Sequence, residues 1–236
     1  MPEKLKSAEM TAGPGFMIRT SFLRPPVEII DGFREFETAD VSDALNRLYA
    51  MNGKIRNLSN DKELLGPALT VKLYPGDNLM IHKTLDIAQP GDVVVVDCSG
   101  AMTNAVFGDL VANKAKHRGI AGFIIDGLIR DVAGVRETGL PVYARGVTPF
   151  GPLHRGPGEI NTPVSCGGVV VNPGDIIKAD ATGIAVVPRD YGSEILGRLQ
   201  ASKERQAAYV AGVIRGEFSN DWVDEQLHST GCAFHD

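Results

Sequence analysis

Two stretches of this chain carry side chains that could do chemistry together. One is Gly108-Asp109-Leu110-Val111 and the other is Arg130-Asp131. Glycine at 108 would let a ligand approach the backbone closely. If a helix opens there, the free N–H groups of Asp109, Leu110 and Val111 can hold a carboxylate. Asp109 and Asp131 add two carboxylates, and Arg130 offers a planar fork to a carboxylate or enolate oxygen. Oxygen donors of this kind suit a hard cation such as Mg²⁺, which keeps several waters and often takes only one or two protein carboxylates. The chemistry implied is a divalent ion beside an anionic substrate. An Arg-Asp pair after a strand also forms ordinary surface ion pairs, and the spacing alone leaves both readings open.

Convergence of the two stretches depends on the elements around them. Val93–Asp97 and Ile120–Asp126 are apolar runs without polar alternation, which predicts strands buried on both faces. Between them, Phe107–Arg118 has the strongest helix signals in the chain. Asp109 stands in its first turn, Lys114, Lys116, His117 and Arg118 towards its end, and Gly119 just beyond. Strand, helix and strand make one right-handed βαβ unit with parallel strands. Ligands of open parallel sheets collect at the carboxyl ends of the strands, which is where both stretches fall. Pro-Gly-Asp recurs at 75–77, 90–92 and 173–175, predicting type II turns between apolar segments. A helix is predicted over Val41–Met51 with Asp40 as its N-cap, and another over Tyr191–Arg215. Residues 1–37 read as an N-terminal arm able to pack on a neighbouring subunit, 38–215 as the main domain and 216–236 as a tail.

Composition excludes several classes of function. The 236 residues are 43% hydrophobic and 22% charged, with a net charge of −5, so no electrostatic case for nucleic acid arises. Three scattered cysteines, Cys98, Cys166 and Cys232, form no CxxC pair and suit a reducing cytoplasm. No run of eighteen apolar residues predicts a membrane span. Phosphate-cradle motifs are absent. Other candidate groups have plainer explanations. His82 and Asp86 stand one helical turn apart, a spacing that can bind metal but is more often structural. Lys114 and Lys116 suit dipole compensation better than a Schiff base. Cys98 and Ser99 lack a base partner, and Cys166 is predicted to be buried. His154, Arg155 and Arg145 could line a pocket or a solvated loop.

The blocks Phe107-Gly108-Asp109-Leu110-Val111-Ala112 and Asp126-Gly127-Leu128-Ile129-Arg130-Asp131-Val132 resemble the RraA-like family. That family includes 4-hydroxy-4-methyl-2-oxoglutarate/4-carboxy-4-hydroxy-2-oxoadipate aldolases and regulators of a ribonuclease. The flanks Asp77-Asn78-Leu79-Met80-Ile81-His82, Val170-Val171-Asn172-Pro173-Gly174-Asp175 and Asp180-Ala181-Thr182-Gly183 match in the same order, so the resemblance spans roughly 38–205. It implies an α/β fold of three layers, ββα and swivelling-domain-like, with a largely parallel central sheet. It implies homotrimers or hexamers with active sites between subunits, and a cytoplasmic enzyme acting on a small 2-oxo acid. It also implies residue roles. Asp131 would ligate Mg²⁺ or Mn²⁺, Asp109 would hold metal-bound water, and Arg130 would support the enolate. The N–H groups of Leu110 and Val111, beside Gly108, would hold the substrate carboxylate. Glu204 would be the acid given by a neighbouring subunit. The implied activity is class II aldol cleavage of a 4-hydroxy-2-oxo diacid to pyruvate, with oxaloacetate decarboxylation through the same enolate. The alternative is a non-catalytic regulator acting by protein–protein contact. Such regulators typically lack an acid after the motif's arginine, and Asp131 therefore favours the enzyme. The longer N-terminal region departs from the aldolases and leaves the substrate open.

Overall fold

The computed structural model of the chain describes residues 9–235. The part of the predicted arm at 1–8 lies outside the described residues. Two compact units divide at Leu196/Gly197. The first holds β1 (Phe16–Ile18), α1 (Val27–Gly32), α2 (Thr38–Ala44), β2 (Arg56–Asn57), β3 (Leu64–Leu73), α3 (Leu79–Ile87) and β4 (Val93–Asp97). It continues through β5 (Ala105–Phe107), α4 (Asp109–His117), β6 (Gly122–Ile129), α5 (Val132–Thr138) and β7 (Val142–Val147). It ends with β8 (Gly158–Ile160), β9 (Val164–Cys166), β10 (Val169–Val171), β11 (Ile176–Ala179), β12 (Ile184–Val187) and the start of α6 (Gly192–Ile214). The second unit comprises the rest of α6 and α7 (Asp221–Ser229), so the predicted tail contains a helix.

The main sheet runs β1-β8-β3-β4-β6-β7-β2, and its centre, β3-β4-β6-β7, is parallel. β3 is shared. Its later residues pair with β4, while Leu64–Pro67 pair antiparallel with β11, which carries β12. Alternation along the central strands sends side chains into two cores. Val94, Val96, Phe123 and Ile125 point towards α3, α4 and α5, where they meet Ile81, Ala112 and Val135. Val93, Val95 and Ile124 point towards β9–β12, where they meet Val164, Val171, Ile177 and Val186. Each buried side chain of this size contributes on the order of 1.5–3 kcal/mol. An all-apolar strand is stable only when both faces are covered, so the run Val93–Val96 is explained by three layers, sheet on sheet on helices. The fold is mixed α/β with a mostly parallel central sheet.

All three Pro-Gly-Asp turns form. Their glycines take φ of +79°, +91° and +90°, and the Asp N–H closes each turn onto Tyr74, Gln89 or Asn172. In two of them the Asp carboxylate also bonds back to the first residue of the turn, Asp92 to Gln89 N–H and Asp175 to Asn172 N–H. Three predicted boundaries move. α2 begins at Thr38, because Asp40 is its third residue, where the carboxylate accepts the Glu37 N–H at 3.3 Å. It stops at Ala44, since Asn46 and Arg47 turn left-handed at φ +56° and +64°. β6 runs on to Ile129 through an irregularity at Asp126-Gly127, where Gly127 lies against Cys98. Within the predicted arm, β1 pairs with β8 and Arg24 clamps Asp92 with two bonds of 2.7 and 2.6 Å.

Candidate functional site

β4, α4 and β6 form the predicted parallel βαβ unit, and the two motif stretches meet at its carboxyl end. Gly108 is the N-cap of α4, extended at φ −158°, ψ −174°. Since β6 ends at Ile129, Arg130 follows the strand directly, and its N–H donates to Phe107 O at 2.9 Å. That bond joins the two stretches. Asp131 then caps α5 in the left-handed region, φ +53°, ψ +39°, and its carbonyl accepts the Val135 N–H. Asp and Asn tolerate this conformation better than other side-chain-bearing residues.

Glycines make room for the charged groups. A Cβ on Gly108 would stand 2.8 Å from Asp131 Oδ2 and 3.3 Å from Arg130 Cγ. A Cβ on Gly134 of α5 would stand 2.7 Å from Asp109 Cβ, and one on Gly151 2.9 Å from Arg130 Nη1. Arg130 Nε lies 3.2 Å from Asp131 Oδ2, with both side chains nearly half exposed. Asp109 Oδ1 accepts the Leu110 N–H at 2.7 Å. Asp109, Leu110, Val111, Arg130 and Asp131 open onto one cavity of about 290 Å³. The site residues predicted in the first unit therefore come together. Glu204 lies on α6 in the second unit, with its side chain exposed.

The cavity is lined as well by groups that the sequence did not single out as a set: Asn78, His82, Pro152 and His154. The turn at 75–77 delivers Asn78 to the N-terminus of α3. Asp77 ties this corner together, accepting the Leu79 N–H at 2.8 Å and the Arg155 N–H at 2.5 Å. Asn78 Nδ2 donates to Val106 O at 3.0 Å, and Oδ1 meets His154 Nδ1 at 2.7 Å. His82 and His154 rings stand edge to face, 5.7 Å between centroids. Burial, the Lys114 charge and His154 hold the His82 pKa below its ordinary value. A turn delivering a polar residue to a helix start was the available signal; pairing His82 with residue 154 needs long-range contact information.

The other sequence candidates settle elsewhere. Asp86 pairs with Lys83 at 3.2 Å and Arg118 at 3.7 Å, away from His82's neighbours in the cavity. Arg145 pairs with buried Asp126, whose other oxygen accepts the Gly167 N–H at 2.9 Å. Burial pushes the Cys98 and Cys166 thiols up, so neither is a ready thiolate.

The carboxylates fit a hard divalent ion of the Mg²⁺ type. Asp131 and Asp109 offer oxygen donors at an open cavity, and the glycine at 108 leaves the Asp131 carboxylate its seat. Among the described residues no group of three or more His, Cys, Asp or Glu could hold a metal, so any ion here would complete its shell with water and substrate oxygens.

The sequence profile of the family described as RraA-like, Aldolase/RraA, matches residues 38–186. The chain belongs to the RraA-like family. Relatives in it carry both kinds of name. The Halalkalibacterium halodurans protein named "Putative 4-hydroxy-4-methyl-2-oxoglutarate aldolase" is 41% identical over 181 residues, covering 77% of this chain and 85% of that protein. An Azotobacter vinelandii protein with the same name is 34% identical over 156 residues, covering 66% and 96%. The crystal structure of Streptomyces coelicolor RraAS2, described as an unusual member of the RNase ES inhibitor RraA protein family, superposes with a TM-score of 0.71 at 28% identity, covering 80% and 99%. As in the membership, so in the body of the fold: the matched segment contains Gly108, Asp109, Arg130 and Asp131. No helix among the described residues is long and apolar enough to cross a membrane.

Proposed function

We propose that the protein is a divalent-metal-dependent carbon–carbon lyase that cleaves a 4-hydroxy-2-oxo diacid to pyruvate. The observation that carries this reading is the convergence of Asp109, Arg130, Asp131 and the N-terminus of α4 on one cavity. The names of the aldolase relatives support it. Asp131 would hold Mg²⁺ or Mn²⁺, with Asp109 holding a water of its shell. When bound, the ion supplies Lewis acidity towards the keto oxygen. The Leu110 and Val111 N–H groups take the substrate carboxylate, Leu110 exchanging its bond to Asp109 for the ligand. Arg130 directs its guanidinium, backed by Gly151, at the oxygen where negative charge develops. Breaking the C3–C4 bond leaves a pyruvate enolate, which is protonated at C3. Oxaloacetate decarboxylation reaches the same enolate and is the expected side activity. Self-association in trimers or hexamers belongs to the reading, with Glu204 supplied across a subunit contact.

The test is pyruvate release from 4-hydroxy-4-methyl-2-oxoglutarate and from oxaloacetate, with Mg²⁺ or Mn²⁺ and with EDTA, for wild type and Asp131→Ala. Metal-dependent release that the variant loses is expected. No release from either compound above the metal-only rate would sink the lyase reading. The likeness to RraAS2 favours one second reading, a regulator acting by protein contact. Failure of the folded protein to bind either ion would turn the balance to it. Glu204→Gln is expected to lower turnover without altering metal binding.

A further inference from the structure

His154 lines the same cavity as Arg130 and Asp131, and its ring orientation is determined by its neighbours. Val106 O can only accept, so the Asn78 amide nitrogen must point at it, at 3.0 Å. That places Oδ1, another acceptor, 2.7 Å from His154 Nδ1. Nδ1 must therefore carry the proton. In the neutral ring, Nε2 is then the acceptor. A base oriented by a third group in this way is a recurring arrangement of acid–base catalysis. His82 stands edge-on to His154, and burial and the Lys114 charge, with His154 itself, hold its pKa below the ordinary value.

We propose that His154 Nε2 is the general base of the aldol cleavage, with Asn78 as the residue that positions it; the proposal rests on the lyase reading above. Nε2 takes the proton of the substrate's C4 hydroxyl. The O–H bonding pair becomes the new C4 carbonyl, the C3–C4 pair passes into the C2–C3 enolate, and the oxo acid formed from C4 leaves. The imidazolium returns the same proton to C3, giving pyruvate and the neutral ring. Protons balance within the active site, and no oxidant or further reactant is required.

Oxaloacetate has no C4 hydroxyl. Its decarboxylation uses the same enolate site but needs no base, and water can supply the proton at C3. The two substrates therefore separate base chemistry from binding. For His154→Gln, kcat for 4-hydroxy-4-methyl-2-oxoglutarate is expected to fall about 100-fold or more, the range of a lost general base. Its kcat for oxaloacetate should stay within about threefold, with both KM values little changed. Asn78→Ala should shift the ratio of the two kcat values in the same direction by a smaller factor, a change that general loosening of the pocket would not produce. Equal losses on both substrates, a rise in KM alone, or no change in the ratio would overturn the proposal, the first two assigning the ring to substrate binding. A wild-type enzyme inactive on both substrates would instead remove the lyase reading, and this proposal with it. His154 is exposed, so folding of the variant is expected and is checked by its melting curve.

Discussion

Replacing Gly108 by alanine isolates the geometry of the site from the stability of the fold. At φ −158°, ψ −174° the backbone suits any residue, so the new methyl introduces no conformational strain. Its Cβ would meet Asp131 Oδ2 at 2.8 Å, whereas ordinary contact begins near 3.4 Å. The carboxylate must retreat by about 0.6 Å, taking with it the pair it makes with Arg130 Nε. Nearly half of the Asp131 side chain is exposed, so it has room to move and the fold survives. Alanine for glycine at an N-cap costs about 1 kcal/mol, which in a protein of this size lowers Tm by about 2–4 °C. Catalysis is far less tolerant, because a displacement near 1 Å costs on the order of 100-fold. The expected result is a folded variant whose kcat/KM for metal-dependent pyruvate release falls about 10- to 100-fold. Gly53→Ala, where a Cβ meets nothing within 4 Å, is the control and should match wild type. A folded Gly108→Ala enzyme within about twofold of wild type would refute the claim that the Asp131 seat is part of the reaction.

Three further outcomes are expected. Asp131→Asn keeps the left-handed cap but loses the charge, so its Tm should move by less than about 3 °C while Mn²⁺ binding, measured by water proton relaxation, disappears. Arg24→Ala leaves the buried Asp92 carboxylate with only the Gln89 N–H, and should cost about 3 kcal/mol by denaturant titration. The exposed pair broken by Arg47→Ala should cost less than about 1 kcal/mol, and equal costs for the two would refute the distinction. On acidification, stability should decline in two stages. Burial, with Lys114 and His154, depresses the folded pKa of His82, so the unfolded chain binds the proton first and stability falls as pH drops below 6.5 towards that folded value. Burial alone would raise Asp180, but bonds from Thr38 and Thr182 outweigh it and hold its pKa below 3.8. Its contribution is present above 3.8 and lost as pH falls through the folded value. His82→Gln should abolish the first stage of a Tm-against-pH series and leave the second; a series unchanged by this variant would refute the assignment.

The sequence displayed the parts of this molecule whose physics is local. A Val93–Val96 run without alternation needs cover on both faces, and the structure supplies helices on one side and β9–β12 on the other. The charge gradient from Asp109 to Lys116 located α4 to within two residues of its ends. Three Pro-Gly pairs fixed three turns, because ring closure and a missing Cβ act at the residue itself. Boundaries set by competition were harder to see. Nothing in the apolar pattern of Val41–Leu48 announces that Asn46 and Arg47 will turn left-handed. β6 could not be extended past Asp126-Gly127 without knowing that Gly127 packs on Cys98. The site divided along the same line. Asp109, Arg130 and Asp131 belong to one βαβ unit and could be brought together from its connectivity. The Asn78–His154 bond joins residues 76 positions apart, and no periodicity encodes it.

The left-handed backbone at Asp131 narrows what evolution can place there. Glycine, asparagine and aspartate enter that region at low cost, whereas a glutamate or a β-branched residue would strain the start of α5. Of the three, only aspartate carries a charge. A lineage with this fold can thus lose or regain a carboxylate at the mouth of this cavity in one substitution, aspartate to asparagine or back, without disturbing the scaffold. Under the lyase reading, activity on this frame would turn on a single side chain at that position rather than on architecture.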